Sequence, residues 1–162
     1  WIPKFLKLFI FNLSALGGLE SGNYSRYFDW KNSPPLAAVI CYEITDGLKI
    51  RNAIQNGSKY ILAIANLDPY PSRIFNQYLS LVMMRSIENN IDTVIASNTG
   101  PSGLIRNDGR IDKLFDSKVE INEVVNVNLI DKTTFYNKYG LKPLFLIFII
   151  TCIYIYYFEE IN

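Results

Sequence analysis

The sequence contains no histidine, and this absence excludes several classes of catalytic site. This chain alone cannot build a Ser-His-Asp or Cys-His nucleophile, a histidine general base or a histidine metal site. Its two cysteines, Cys41 and Cys152, are too few for a disulfide scaffold or a four-thiolate zinc site. We therefore predict no cofactor and no metal ion. Any base that activates a nucleophile here must be Glu, Asp or Lys.

An excess of charge of one sign is also lacking. The 162 residues carry 16 Lys and Arg against 15 Asp and Glu, so the formal net charge is +1. Nucleic-acid binding usually needs a clustered basic excess, and we predict no nucleic-acid partner. Hydrophobic residues, in contrast, make up 49% of the chain. That share is enough for a core and high enough to suggest that part of the chain lies in lipid.

One segment near the end of the chain accounts for much of this hydrophobicity. Residues 144–158 carry no charge, and Lys142 just before them can extend its ammonium toward water. A helix over residues 141–158 would be roughly 27 Å long, close to the roughly 30 Å thickness of a bilayer core. The pattern predicts a transmembrane helix at 141–158 and a short tail at 159–162. The alternative is a buried core helix or strand.

The middle of the chain alternates between short apolar runs and amphipathic segments, which favours an α/β domain with a mixed sheet. An Asn-Asp-Gly turn at 107–109 predicts a hairpin. The apolar face of the longer helix should comprise Phe75, Tyr78, Leu79, Val82 and Ile87. The predicted strands are Leu36–Cys41, buried on both faces, Tyr60–Ala65, Thr93–Ser97, Ser102–Arg106 and a closing strand at Val119–Leu129; the predicted helices are Phe5–Leu16, Asp46–Gln55 and Arg73–Glu88.

Cys41 is the main candidate for chemistry, because it stands where a buried strand is predicted to end. In α/β sheets, reactive groups gather at the carboxyl ends of strands. A thiolate at that position can attack an acyl carbon and form a thioester. The alternative is that Cys41 is a small buried hydrophobic residue, which is the commoner state of a free cysteine.

Several ordered motifs resemble the nitrilase superfamily, which uses a Glu-Lys-Cys triad and no histidine. They are LAAVICYE at 36–43, MRSIE at 84–88 and SNTGPSG at 97–103. The segment TTFY at 133–136, the Tyr139-Gly140 pair and the apolar run after them are similar to the branch called apolipoprotein N-acyltransferase. The resemblance implies that residues 1–140 are the C-terminal part of a nitrilase-like α-β-β-α sandwich, followed by one transmembrane helix.

This resemblance implies a lipid-modifying enzyme. Such an enzyme takes an acyl chain from a membrane phospholipid as a cysteine thioester. It then passes the chain to the N-terminal diacylglyceryl-cysteine of a bacterial lipoprotein. The implied partners are a phospholipid acyl donor, an apolipoprotein acceptor and the membrane. The implied location is the bacterial cytoplasmic (inner) membrane, with a multi-pass full-length protein and a catalytic domain on the outer face.

The resemblance also assigns roles to individual residues. Cys41 matches the nucleophile, and Tyr42 and Glu43 match the two supporting residues after it. Asn98, Gly100 and Ser102 match a turn beside the nucleophile that would contact substrate; the alternative is a structural turn between two strands. Arg85 and Glu88 match a helix motif whose structural interpretation is an i,i+3 ion pair.

The chain departs from the family pattern at important positions. The catalytic Glu and Lys of the family precede the cysteine, and no upstream acidic or basic residue here lies in a matching motif. We therefore expect this chain to be the C-terminal portion of a larger enzyme and to be inactive alone. The loop at 66–71 and Leu141 also depart from the pattern. The upstream candidates are Lys4, Lys7, Glu20 and Lys31.

Two other functions and one topological conflict stay open at this point. The chain could belong to an amidase of the same superfamily, or it could be an inactive membrane-anchored remnant. The positive-inside rule, applied to Lys138 and Lys142 before the apolar run and Glu159-Glu160 after it, places the domain in the cytoplasm. The family resemblance places it outside, and we retain that expectation because earlier spans normally dominate topology.

Overall fold

The computed structural model describes residues 27–29, 32–115 and 119–161. The predicted helix at Phe5–Leu16 and the upstream candidates Lys4, Lys7, Glu20 and Lys31 lie outside the described residues.

A six-stranded sheet forms the centre of the described fold, and its strands lie side by side in sequence order. The strands are β1 (Tyr27–Phe28), β2 (Leu36–Ile40), β3 (Tyr60–Asn66), β4 (Thr93–Asn98), β5 (Ser102–Ile105) and β6 (Ile111–Phe115). β2, β3 and β4 are parallel, whereas β1 and the β5–β6 hairpin pair antiparallel to their neighbours. The structure thus confirms the α/β class, the mixed sheet and the hairpin at 107–109.

Helices connect the parallel strands, as such crossovers require. A 3₁₀ turn (Cys41–Thr45) and helix α1 (Gly47–Gln55) join β2 to β3, and α2 (Arg73–Asn89) joins β3 to β4. The Asp46 side chain accepts a hydrogen bond from the Lys49 N–H at the start of α1, and Asn90 ends α2 in the left-handed conformation. Two further helices follow the sheet: α3 (Phe135–Tyr139) and α4 (Lys142–Ile161).

Among the described residues, helices cover one face of the parallel strands. Val39, Ile61 and Ile95 join a core cluster with Ile50 of α1 and Val82 of α2. The residues that alternate with them point to the opposite face, where Ile40 is 62% and Ile64 is 44% exposed. The prediction that Leu36–Cys41 is buried on both faces is therefore wrong.

Three other details of the prediction are also wrong. β2 ends at Ile40, so Cys41 begins the 3₁₀ turn instead of ending the strand. Ile87 is 53% exposed because it lies over the hairpin glycine Gly109 and not in the core. Residues 119–134 form no regular element, so the closing strand at Val119–Leu129 does not exist in the described chain.

Helix α4 contains the apolar run but does not pack on the domain. Its large apolar side chains from Leu144 to Phe158 are each more than half exposed. Within residues 27–29, 32–115 and 119–161, no helix has the length and apolarity needed to cross a membrane. The predicted transmembrane span at 141–158 is therefore not confirmed.

Candidate active site

The carboxyl ends of the parallel strands bring the predicted site residues to one edge of the sheet. Ile40 pairs with Ile64, and Asn66 pairs with Asn98, so the ends of β2, β3 and β4 lie in register. Cys41 follows β2, and the turn from Asn98 to Ser102 follows β4. Strand β3 lies between β2 and β4, so two strand spacings, or roughly 10 Å, separate Cys41 from this turn.

Cys41 occupies an unusual backbone conformation at this edge. Its φ of 51° lies in the left-handed region, which costs an L-residue about 1–2 kcal/mol. The chain changes there from an extended strand to a 3₁₀ turn. The thiol is free and partly exposed, so Cys41 is not the fully buried hydrophobic residue that was the alternative interpretation. Strain of this kind clusters at functional sites.

Glu43 stabilises the turn that carries Cys41. Its Oε2 accepts a hydrogen bond of 2.9 Å from the backbone N–H of Ile40, and its carbonyl accepts one of 3.0 Å from the N–H of Asp46. The Tyr42 side chain is 80% exposed, and its carbonyl accepts a hydrogen bond from Thr45 Oγ1. Glu43 thus holds the backbone on both sides of Cys41, while Tyr42 projects outward.

The turn from Asn98 to Ser102 is shaped mainly by its own backbone. Thr99 and Gly100 both have positive φ, and a Cβ on Gly100 would lie 2.8 Å from Leu67 Cδ1. Ser102 Oγ accepts a hydrogen bond of 2.9 Å from the Ser97 N–H. These contacts fit the structural interpretation of the turn.

The predicted site residues Asn98, Gly100 and Ser102 also line a cavity of about 930 Å³. This cavity lies between β4, β5 and the segment 119–125, and Cys41 does not line it. Ser97 Oγ is buried nearby without a hydrogen-bond partner among the described residues. Asn98, Gly100 and Ser102 therefore share an edge with Cys41 but open onto a separate space.

Tyr78 is a site residue that the sequence analysis assigned only to the core. Its side chain is 5% exposed, and its hydroxyl has no hydrogen-bond partner in the described part of the chain. Burial, and secondarily the negative charge of a Cys41 thiolate, raises the pKa of Tyr78. Tyr78 therefore keeps its proton and has an O–H that can donate a hydrogen bond. In the sequence, the one sign of this role is that Tyr78 places a hydroxyl on the otherwise apolar face of its predicted helix.

Arg85 and Glu88 form the expected ion pair on α2. Arg85 is almost fully buried, and a Cβ on Gly47, the first residue of α1, would lie 2.0 Å from its Nη1. Burial raises the pKa of Glu88, and the Arg85 charge and hydrogen bond oppose that increase. The pair therefore packs α2 against the start of α1, directly after the Cys41 turn.

The described residues contain no group of three or more His, Cys, Asp or Glu side chains arranged to hold a metal ion. The side chains at this edge offer a thiol, hydroxyls, amides and carboxylates, which suit nucleophilic chemistry.

Comparison with curated proteins identifies close relatives. The chain is 56% identical over 146 residues to an apolipoprotein N-acyltransferase of Prochlorococcus marinus subsp. pastoris, which covers 90% of this chain and 29% of the relative. It is 40% identical over 144 residues to the protein of that name from another Prochlorococcus marinus strain, covering 89% of this chain and 29% of the relative. The chain thus spans less than a third of the length of these relatives. No family model matches the chain.

Solved structures share the fold at low sequence identity. A branch 10 member of the nitrilase superfamily from Saccharomyces cerevisiae superimposes with a TM-score of 0.54 and 15% identity, over 63% of this chain and 40% of that protein. A mutant of a Nesterenkonia amidase of the same superfamily superimposes with a TM-score of 0.51 and 15% identity, over 62% of this chain and 41% of that protein. These comparisons confirm the resemblance that the motifs at 36–43, 84–88 and 97–103 suggested. The chain is a homologue of the apolipoprotein N-acyltransferases over most of its own length, and its fold is that of the nitrilase superfamily.

Proposed function

We propose that this chain is the cysteine-bearing, C-terminal part of an enzyme that acylates the N-terminus of bacterial lipoproteins. The observation that carries the proposal is the strained position of Cys41, at the carboxyl end of β2, in a homologue of the apolipoprotein N-acyltransferases. The acyl donor is a membrane phospholipid and the acceptor is an apolipoprotein.

The reaction proceeds in two acyl transfers. The Cys41 thiol loses its proton to the base, and the thiolate attacks an ester carbonyl of the phospholipid. The sulfur–carbon bond forms, the ester carbon–oxygen bond breaks, and the lysophospholipid leaves as its alcohol after taking that proton from the base. The α-amino group of the acceptor's diacylglyceryl-cysteine then attacks the thioester carbonyl. An amide forms, the amine loses a proton, and the Cys41 thiol is regenerated. Two easier steps thus replace one difficult step.

The chain's own residues support this nucleophile in different ways. Glu43 holds the backbone on both sides of Cys41, so the thiol keeps one position during both transfers. The buried Tyr78 hydroxyl supplies a donor on the α2 side of the turn. Asn98, Gly100 and Ser102 line the cavity at the same edge, and we assign their contact with substrate to the acceptor side of the reaction.

The reaction also needs a base for the amine and a cation for the oxyanion. In the family these are a Glu and a Lys that precede the cysteine, and no described residue of this chain stands in their place near Cys41. We propose that they belong to a preceding part of the full-length enzyme. The exposed sheet face around Ile40 and Ile64 is the surface that this part would cover, as in a two-sheet sandwich.

We further propose that helix α4 lies in the lipid of the cytoplasmic membrane, with the catalytic domain on the outer face. The support is the exposure of apolar side chains around the whole helix. A helix that is apolar all round needs lipid or protein around it.

The test of the nucleophile is Cys41→Ser in the full-length protein, with Cys152→Ser as the matched control. We expect Cys41→Ser to lose the acyl thioester and lipoprotein N-acylation by at least a thousandfold, because a serine without a base partner is a far weaker nucleophile. Cys152 lies on the exposed surface of α4, so its substitution should leave activity unchanged. Normal N-acylation in a strain that carries only Cys41→Ser would overturn the proposal.

The test of the membrane location is a carbonate wash of cells that express the protein. Burial of the apolar side chains of α4 should hold the chain in the membrane pellet, since it far outweighs peripheral attachment. Recovery in the soluble fraction would contradict the lipid location and would favour the amidase alternative.

A further inference from the structure

A second cavity, of about 430 Å³, lies at the edge of the sheet opposite to Cys41. The connection between α1 and β3 forms one wall, where β3 begins. The segment 130–133 and helix α3 form the other. None of the residues discussed for the acyl transfer lines this cavity.

The lining of this cavity is cationic. Lys59, Lys132 and Lys138 line it together with one carboxylate, Asp131, so its formal charge is +2. Asp131 pairs with Lys59. Lys138 lies 5.2 Å from the ring centroid of Tyr139. Among the described residues neither Lys132 nor Lys138 forms an ion pair, so two ammonium groups are available to an anion.

A buried hydroxyl in the same wall lacks a partner. Ser58 is 3% exposed, and its Oγ has no hydrogen-bond partner among the described residues. Its backbone N–H is already bonded to the Ala53 carbonyl at 3.2 Å. A buried polar group without a partner costs about 1–3 kcal/mol. The Oγ itself is covered in this conformation, and a change of the Ser58 χ1 rotamer toward the cavity that the residue lines would let it donate to an anion oxygen there.

The cavity lies beside the base of the apolar helix. Lys138 belongs to α3, and α4 begins four residues later at Lys142. Cations immediately next to a lipid-embedded helix face the phosphate layer of the bilayer.

We propose that this cavity binds the phosphate of an anionic phospholipid headgroup, with Lys132 and Lys138 as the charged groups and Ser58 as the hydroxyl donor. The proposal rests on the lipid location of α4 but not on the chemistry of Cys41. Its role is to fix the domain against the membrane surface, away from the reacting acyl ester.

The test uses the full-length protein in detergent with three soluble probes: dihexanoyl-phosphatidylglycerol, dihexanoyl-phosphatidylcholine and inorganic phosphate. Binding is followed as a rise in the melting temperature with probe concentration. We expect the phosphatidylglycerol to bind tightest. The double variant Lys132→Gln/Lys138→Gln should weaken its binding roughly tenfold or more. Ser58→Ala should weaken it less without lowering the melting temperature of the free protein.

The matched control is Lys49→Gln/Lys113→Gln, which removes the same charge from exposed lysines outside the cavity. Equal weakening by both double variants, or no binding of phosphatidylglycerol, would overturn the proposal. If inorganic phosphate bound more tightly than either lipid, the ligand of this cavity would be free phosphate and not a lipid headgroup. That result would contradict the proposal. Cys41→Ala should retain phosphatidylglycerol binding, which separates a failure here from a failure of the acyl-transfer mechanism.

Discussion

At the residue scale, the backbone of Cys41 links local geometry to chemistry. The positive φ places the residue between an extended strand and a tight turn, and Glu43 holds the N–H of the preceding residue. The fold therefore tolerates a strained residue at the position where the proposed nucleophile stands. Such strain is retained when the surrounding structure over-determines it.

This strain predicts the order of stability of two Cys41 variants. Cys41→Gly should be more stable than Cys41→Ala by about 1 kcal/mol, because glycine adopts a left-handed conformation without a Cβ clash. Both variants should lack the thioester. Denaturant unfolding of the two proteins under identical conditions measures the difference. A Cys41→Ala protein as stable as Cys41→Gly would mean that the turn relaxes easily and stores no strain.

Tyr78 gives a second prediction at this scale. Its hydroxyl is buried without a partner in the described residues, so Tyr78→Phe should leave stability unchanged or raise it by about 1 kcal/mol. If the hydroxyl only filled space, the rate of Cys41 acylation would stay at the wild-type value. We expect this rate to fall severalfold, because we propose that the Tyr78 hydroxyl donates to the Cys41 thiolate during the reaction. A large loss of stability would reveal a hydrogen bond to another part of the full-length protein.

At the element scale, one buried carboxylate organises the region after β4. Asp92 is fully buried and accepts hydrogen bonds from Arg106 Nη1 at 2.8 Å, the Asn107 N–H at 2.9 Å and the Asn128 N–H at 2.8 Å. Arg106 also donates to the Asn126 carbonyl. The Asp92 and Arg106 side chains thus form hydrogen bonds with the backbone of Asn128 and Asn126. These bonds take the place of strand pairing in segment 119–134.

Removal of this carboxylate should be strongly destabilising. Asp92→Ala leaves the Asn107 and Asn128 N–H groups without an acceptor, whereas Arg106 keeps Asp112 and the Asn126 carbonyl. We expect a loss of about 3–5 kcal/mol in the free energy of unfolding, because each buried group without a partner costs about 1–3 kcal/mol. The control is Asp108→Ala at the exposed hairpin turn, which should change it by less than about 0.5 kcal/mol. Equal effects of the two variants would contradict the organising role of Asp92.

At the scale of the whole molecule, two apolar surfaces stand out as exposed in the part of the chain that the structure describes. One is the sheet face around Ile40 and Ile64, and the other is helix α4. Monomeric soluble proteins rarely expose patches of this kind. We propose above that the rest of a two-sheet domain covers the sheet face and that lipid surrounds α4.

We therefore predict that residues 1–162 alone do not acylate Cys41. The purified chain in detergent is offered a phospholipid with a traceable acyl chain, next to a version extended upstream to the length of the Prochlorococcus relatives. Label should appear only on the extended protein, because we propose that the base and the cation belong to the added part. Stoichiometric label on the short chain would show that Lys4, Lys7 or Lys31 with Glu20 rebuilds the site.

The sequence by itself determined strands β2 to β5, helices α1 and α2, and the position of Cys41 next to the end of a strand, but not β1 or α3. Apolar runs, amphipathic segments and the turn at 107–109 are local patterns, and the structure reproduces these six elements and the turn to within a few residues. The tertiary structure alone decided the φ of Cys41, the isolation of the Tyr78 hydroxyl, the exposure of Ile87 and the irregular path of 119–134. Each of these depends on which distant group lies opposite a backbone or side chain, as Gly109 lies under Ile87 and Asp92 faces Asn128. Local periodicity carries no information about such partners, because they meet only when the sheet edge and the helices pack.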